Sequence, residues 1–425
     1  MLTEILQQGE KYDLLNPLFF ANPDATLHQM RTEDPIYWHS QLESWILTRY
    51  VDIYNVIRDP RFSVDRGGKI GKSKSLAVKT KLDFCNQYFT QWMVFSDPPR
   101  HTRLRNLVGK AFTPQLIESL HPLIQNFADE LIDAIQDSGK MEVIHDFAVP
   151  LPALVTAKLL GVPQEDIPLL KRWSSNMFML FGAGWASEEV VETTYQSLVD
   201  SIQYFDALIA EYRQSPSDNL INQLIAAEDH GSVLSDEELT ATCITFMAGA
   251  YETTTYLISN GLLALLQNPE QLQMLQENPL LIDSTVEEIL RYCGPAFSVV
   301  RRAIADIEIN GQLITNGQKI YCVLHAANHD PAKFPNPDKF EITRKENRHL
   351  GLGQGIHVCL GAALTRLETK IAINTILQRL QNIRLDTEQL TWIPNLAMRG
   401  LEELPIVFSL KGIPNKTNIQ LILVG

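Results

Sequence analysis

Apolar residues recur at helical spacing over most of the middle of the chain. Between 115 and 268 the stripes 120–135, 153–160, 190–212 and 239–266 fit the 3.6-residue period, which predicts a largely helical region. Ser235, followed three residues later by Glu238, is a capping box at the start of the longest of these helices. The run at 178–185, FMLFGAGW, is broken by glycine and reads as a turn between helices. Outside this region the pattern is mixed. Residues 36–38 and 44–48 read as a hairpin, and 50–58 as a short helix ended by Asp59-Pro60. Asp97-Pro98-Pro99 opens a helix, DPPRHTRLRNLVGKAF, with proline near its first turn. Residues 301–309 alternate in part and run into Asn310-Gly311, a type I′ hairpin signal, with 318–324 as the return strand. The helix STVEEILRYC stops at Gly294-Pro295, and AANHDPAKFPNPDKFEITR is a proline-rich meander with little regular structure. A long helix follows Gly361. Segments 384–386, 394–404 and 406–410 then suggest a strand, a loop and a strand. The closing run NIQLILVG has no assignment.

No repeat, low-complexity linker or composition break divides the 425 residues. One domain over 1–425 is expected, mainly α with small β-sheets (α+β), with 1–30 as a lead-in and 411–425 as a tail of unclear role. A stretch at 67–89, with two adjacent glycines and Lys69, Lys72, Lys74, Lys79 and Lys81, reads as a mobile loop. It is either a solvated segment or a flap over a pocket.

Composition narrows the class. With 45% hydrophobic and 20% charged residues the chain has the make-up of a soluble globular protein. A net charge of −14 argues against a nucleic-acid surface. The N-terminus carries early acids and no long apolar core, so neither a signal peptide nor an anchor is expected. No apolar run is long enough to span a membrane. Five scattered cysteines, none in a CxxC pair, point to neither a disulfide framework nor a zinc ribbon and fit a reducing cytoplasm.

Four places carry candidate chemistry. The first is 349–361, HLGLGQGIHVCLG, where Cys359 sits on a glycine-rich loop at a helix start. Helix N–H groups and partial positive charge there favour the thiolate. Such a thiolate is either a nucleophile, with His357 as its base, or a metal ligand. The second is Gly249 with Ala248 and Ala250 in the longest helix, followed by Glu252 and Thr253. Small residues admit a flat group against the backbone, and a buried acid–hydroxyl pair is costly unless satisfied or used. Taken alone, a small-residue helix crossing with an exposed acid is the better explanation. The third is Glu288 with Arg291, i and i+3 on one helix face. The fourth is the basic helix with His101 and Arg105 four apart.

In this order and spacing the motifs resemble the cytochrome P450 superfamily, in its soluble bacterial form, from roughly residue 30 to 410. The loop at 349–361 resembles that family's cysteine-ligand loop, GAYETT its oxygen-activating segment, and Glu288-x-x-Arg291 its Glu-x-x-Arg pair. The meander and the His101-x-x-x-Arg105 helix are similar to their counterparts there. The resemblance implies a P450 fold with a long central helix over haem b, and Cys359 as thiolate ligand of the iron, favouring O–O cleavage. It implies that Leu352, Gly353 and Gly361 belong to the loop around the sulfur, with N–H groups near Leu360 and Gly361 tempering its charge. His101, Arg105, Arg301 and His357 would hold the haem propionates. Ala248, Gly249 and Ala250 would lie over the haem, Thr253 would hydrogen-bond the bound oxygen, and Glu252 would relay protons. Glu288, Arg291 and Arg344 would form a structural network. Thr245, Ala248, Phe297, Ala397 and Met398 would line an apolar substrate pocket.

Two positions depart from the family. Leu352 stands where phenylalanine is usual, so a more exposed thiolate and an altered redox potential are expected. Gly249-Ala250 reverses the usual Ala-Gly order. The implied activity is a monooxygenase acting on a small hydrophobic substrate with O2, by hydroxylation or epoxidation. Electrons would come from NAD(P)H through a reductase and a ferredoxin or flavodoxin. A monomer in the cytoplasm is expected. Arg100, Arg103, Lys110, Arg366 and Lys370 are expected to form a positive docking patch for that carrier. Oxidative coupling, rearrangement, peroxide-driven oxygenation and non-catalytic haem binding are the alternatives.

Overall fold

The computed structural model describes residues 10–67, 70–182 and 185–410. Residues 1–9 and the tail at 411–425 lie outside them, as does Lys69 of the lysine-rich stretch.

The helix Asp236–Gln267 organises the interior. Its start is the capping box: Ser235 Oγ accepts from Glu238 N and the Glu238 carboxylate accepts from Ser235 N, both at 3.2 Å. Three acids in its first turn complement the helix dipole. From Leu257 to Leu265 every residue is buried, as in a helix packed on all sides. Helices Pro150–Leu160, Ile167–Gly182, Glu188–Gln214 and Ala362–Arg379 pack around it.

A five-stranded sheet lies to one side, in the order Ile36–His39, Ser44–Leu47, Lys319–Val323, Ser298–Ala303, Phe62–Ser63. The first pair is the hairpin expected from the alternation at 36–48. Ser44–Leu47 then pairs in parallel with Lys319–Val323, joining segments far apart in the chain. A smaller sheet pairs Pro405–Leu410 with both Lys140–Glu142 and Leu380–Leu385.

Three local expectations are corrected. Asn310 and Gly311 both have positive φ, as a type I′ turn requires, but the returning strand is Gln312–Ile314. Lys319–Val323 pairs instead with Ser298–Ala303, placing Arg301 opposite Ile320. Within 67–89, Lys79–Phe89 is a helix, with Leu82, Cys85, Asn86 and Phe89 buried at helical spacing. The lysines obscured that stripe. The helix Ile167–Gly182 runs through most of the expected turn at 178–185. Gly182 serves close packing there: a Cβ on it would lie 1.6 Å from Asn395 Oδ1.

The meander is held by buried charge. Arg291 and Glu288 form a bidentate pair at 2.8 and 2.7 Å, and both side chains are fully buried. Arg291 also donates to the carbonyls of Asn328 and Pro337, each at 2.8 Å. Glu288 accepts from Arg344 Nε at 3.2 Å, from Asn347 Nδ2 at 3.1 Å and from Glu341 N at 2.9 Å. Removing one member leaves the other's charge buried and alone. Arg291→Ala should therefore cost about 3–5 kcal/mol, read as a lower denaturant midpoint. A loss below about 1 kcal/mol, the worth of a surface pair, would contradict this account.

Candidate active site

The loop before the helix Ala362–Arg379 is shaped by close backbone packing. A Cβ on Gly351 would lie 2.4 Å from Leu290 O, so only glycine fits there. Gly353 adopts φ +70°, which side-chain-bearing residues rarely take. Asn328 Oδ1 accepts from Leu350 N at 2.7 Å, and Leu352 O accepts from Cys359 N at 2.9 Å. Leu352 itself packs on the main core, half-buried. The loop is thus tied at its entrance to the meander and across its neck to itself.

Cys359 has accessible surface, yet the protein around it is dense enough that burial raises its thiol above the ordinary value. The Gly361 N–H bonded to the sulfur and the charges of Arg105 and Arg366 pull the other way, towards thiolate.

Basic side chains gather beside the sulfur. The rings of His101 and His357 are 4.1 Å apart. Burial, then the neighbouring His101 and Arg301, pushes His357 down to about 3. His101 is also lowered by burial and by Arg105, and its Nδ1 is buried without a partner. Arg301 is 7% exposed, and among the described residues its side chain hydrogen-bonds only to the Val300 carbonyl, at 3.1 Å. Asp97 is the acid they face. It is already engaged, by Ser63 Oγ and by Val64 N at 3.1 Å. The sequence reading missed Arg66, whose Nε is buried and unpartnered and whose guanidinium lies 5.2 Å from the Phe95 ring. Its near neighbours are Tyr321 and Arg301, both distant in sequence, so no local pattern marked it.

Above the central helix the structure separates the candidates. A Cβ on Gly249 would meet nothing within 4 Å, so that face is open. Thr245 and Thr253 share it at i±4, their hydroxyls bonded back to the carbonyls of Ala241 and Gly249 at 2.6 and 2.7 Å. Ala250 is half-buried. Ala248 is fully buried, and its carbonyl accepts from Ser174 Oγ at 3.3 Å, so it faces the helix Ile167–Gly182 rather than the open side. Glu252 turns to Ser175 Oγ and Tyr256. With Phe178, Met179 and Met398 these line a cavity of about 230 Å³. Asn395 Oδ1 accepts from Ala397 N at 2.8 Å and Met398 N at 3.1 Å, which fixes the far wall. Phe297 does not reach this cavity. It is buried against Phe19 and His325 at ring separations of 5.9 and 5.5 Å.

The expected positive patch is not formed. Arg103 pairs with Glu238, and Arg100 lies 3.8 Å from the same carboxylate. Lys110 pairs with Asp229 at 2.7 Å, Arg366 with Glu287 at 2.5 Å and Lys370 with Asp283 at 2.8 Å. Lys72 and Lys81 are likewise paired, with Glu43 and Glu192. Every acid comes from a distant segment, which sequence adjacency could not reveal. Lys345 and Arg348, by contrast, border an opening of about 600 Å³ beside Glu287, and among the described residues neither has an acid partner.

A thiol with Arg105 beside it, a small-residue helix face left open, and buried arginines and imidazoles with few partners are the candidate donor set. It suits a flat dianionic group carrying a metal that accepts sulfur. Haem fits these residues.

Comparison with known proteins agrees. A family model described as Cytochrome P450 matches residues 167–398. The chain is 40% identical to the biotin biosynthesis cytochrome P450 of Bacillus subtilis (strain 168), across 92% of this chain and 97% of that protein. The solved structure of P450BioI in complex with hexadec-9Z-enoic acid ligated acyl carrier protein is 39% identical, with TM-score 0.86, across 92% of this chain and 99% of the other. Myxobacterial CYP267B1 in complex with myristic acid is 38% identical, with TM-score 0.85, across 94% and 100%.

One titration tests how the loop is clamped. Burial works to raise Glu287, but hydrogen bonds from His349 and Arg366 outweigh it and hold the carboxyl at about 2, below its ordinary 4.5. Between these values the unfolded chain binds more protons than the folded one. The stabilisation is therefore present above 4.5 and is lost as pH falls towards 2. Glu287→Gln should be less stable at neutral pH and lose part of the acid dependence in that window, followed by circular dichroism. An unchanged acid profile would remove Glu287 from the clamp.

Proposed function

The chain belongs to the cytochrome P450 family of monooxygenases, and on that footing we propose that it oxygenates a long-chain fatty-acyl or similarly extended apolar substrate. The observation that carries the reading is the Cys359 thiol with Arg105 beside it, next to a cluster of Arg301, Arg66, His101 and His357 in which Arg66 Nε and His101 Nδ1 have no partner among the described residues. Cys359 would ligate the haem iron. Arg105, Arg301 and Arg66 would hold the propionates through charge-assisted hydrogen bonds, and His101 and His357, both lowered by burial, would add neutral N–H donors. Haem iron, when bound, activates O2 so that one oxygen atom enters the substrate and the other leaves as water, at the cost of two electrons and two protons.

The chain's own residues position and supply. The Gly361 N–H takes up part of the sulfur's charge. Gly249 keeps its helix face clear. Thr253 Oγ1 donates its proton to the Gly249 carbonyl, which fixes the hydroxyl and leaves its lone pairs to accept a hydrogen bond beside that face. Glu252, hydrogen-bonded to Ser175, can take up protons and return them. Phe178, Met179, Ile393 and Met398 give an apolar chain a dry wall.

Support for an acyl substrate comes from relatives solved with hexadec-9Z-enoic acid on an acyl carrier protein and with myristic acid. Electrons would come from NAD(P)H through a ferredoxin or flavodoxin. Lys345 and Arg348 support docking of such an acidic carrier. Five free cysteines support a cytoplasmic location; among the described residues no helix is long and apolar enough to cross a membrane.

Titrating C14 to C18 fatty acids into the oxidised protein should shift the Soret band as substrate displaces water, saturably and with a chain-length optimum. Thr253→Ala should keep that shift while most of its electron consumption goes to hydrogen peroxide instead of product. No spectral response to any acyl chain would overturn the substrate class, and unchanged coupling would remove Thr253 from proton delivery.

A further inference from the structure

We propose that Asp24, His325 and His329 form a binding site for a zinc-type divalent metal ion, separate from the haem site. One ligand atom from each residue lies within 4.8 Å of the other two. His325 and His329 are four apart around the one-turn helix Leu324–Asn328, which brings both rings to one side, 4.5 Å between centroids. Asp24 opens the helix Asp24–Glu33, and its Oδ1 is 2.7 Å from His325 Nε2.

The hydrogen bonds suit ligation. His329 Nδ1 is 3.0 Å from the His325 carbonyl, which can only accept, so Nδ1 carries the proton. Nε2 is left with its lone pair and takes no hydrogen bond in the cluster. A backbone carbonyl on the second ring nitrogen is what orients a metal-bound histidine. Were these three residues only a hydrogen-bonded tie between helices, His329 Nε2 would have no part in it. Ligation by His325 requires its Nε2 proton to move to Nδ1 or to solvent. Donors around a tetrahedral ion with bonds of about 2.0–2.1 Å stand about 3.3 Å apart, so the widest pair must close by a side-chain rotation.

Access and charge also fit. Both rings are buried, at 6% and 3% exposure, whereas the Asp24 side chain is 48% exposed and leaves a path from solvent. The facing cations are already held. Arg399 donates to Phe20 O at 2.6 Å and lies 3.7 Å from the Trp392 ring, Arg31 donates to Ala326 O at 2.7 Å, and Arg291 is paired with Glu288. Two imidazoles and one carboxylate suit zinc, cobalt or nickel and are a poor set for magnesium or calcium. An ion there would pin the N-terminal helix to the turn carrying Asn328, which supports Leu350 of the cysteine loop, and Asp330, which accepts from Tyr50 N at 2.8 Å.

The test is calorimetric titration of the haem-loaded full chain, stripped with chelator, with zinc chloride. One ion per chain should bind saturably, with a rise in the temperature of haem loss, while magnesium chloride gives no comparable heat. Asp24→Asn and His329→Gln should each weaken binding by about tenfold or more. The haem spectrum of each variant reports folding. Asp24, half-exposed, carries the test if the buried His329 cannot be replaced. Absence of saturable zinc binding would overturn the proposal, as would equal affinity in the Asp24→Asn protein, which would assign the ion to other histidines.

Discussion

A buried ion pair holds the least regular part of this molecule. Arg291 and Glu288 are fully enclosed and give up all contact with water. That desolvation is offset only because every remaining donor and acceptor is used. Arg291 gathers carbonyls from Asn328, Pro337 and Lys339, and Glu288 gathers the N–H groups of Glu341, Asn347 and Arg344. These residues belong to a meander that neither helix nor sheet could satisfy. Asn328 passes the constraint to Leu350 and hence to the cysteine loop. The sulfur is therefore placed by a chain of hydrogen bonds that starts at a salt bridge remote from the chemistry.

Charge is used in two ways around the site. On the surface Arg100 and Arg103 share Glu238, and Lys110, Arg366 and Lys370 each meet an acid, so that these pairs join segments far apart in the chain. In the interior Arg301, Arg66, His101 and His357 have almost no acid to meet. The outer cations are engaged in packing, and the inner arginines and neutral imidazoles keep donors for an anionic ligand.

What the sequence disclosed was local. The cysteine loop, the capping box at Ser235, the Glu288–Arg291 spacing and the small-residue segment at Gly249 are all complete within a few residues. The capping box closes, Glu288 and Arg291 pair, and Gly249 leaves its helix face open. What it concealed depends on partners far along the chain. The return strand after Asn310-Gly311 was misjudged because Lys319–Val323 belongs to the sheet holding Ser298–Ala303. Gly182 looked like a helix breaker until its contact with Asn395 was seen. The positive patch disappeared once Glu238, Asp229, Glu287 and Asp283 were located. Glu252 faces Ser175 rather than solvent for the same reason.

The account rests on Cys359 giving its thiolate to haem iron. The optical difference spectrum of the reduced, haem-loaded protein with carbon monoxide tests this most directly. The structure predicts a Soret band at the long wavelength that thiolate ligation produces, lost in Cys359→His. A Soret band at the shorter, histidine-type wavelength in the unaltered protein would contradict it.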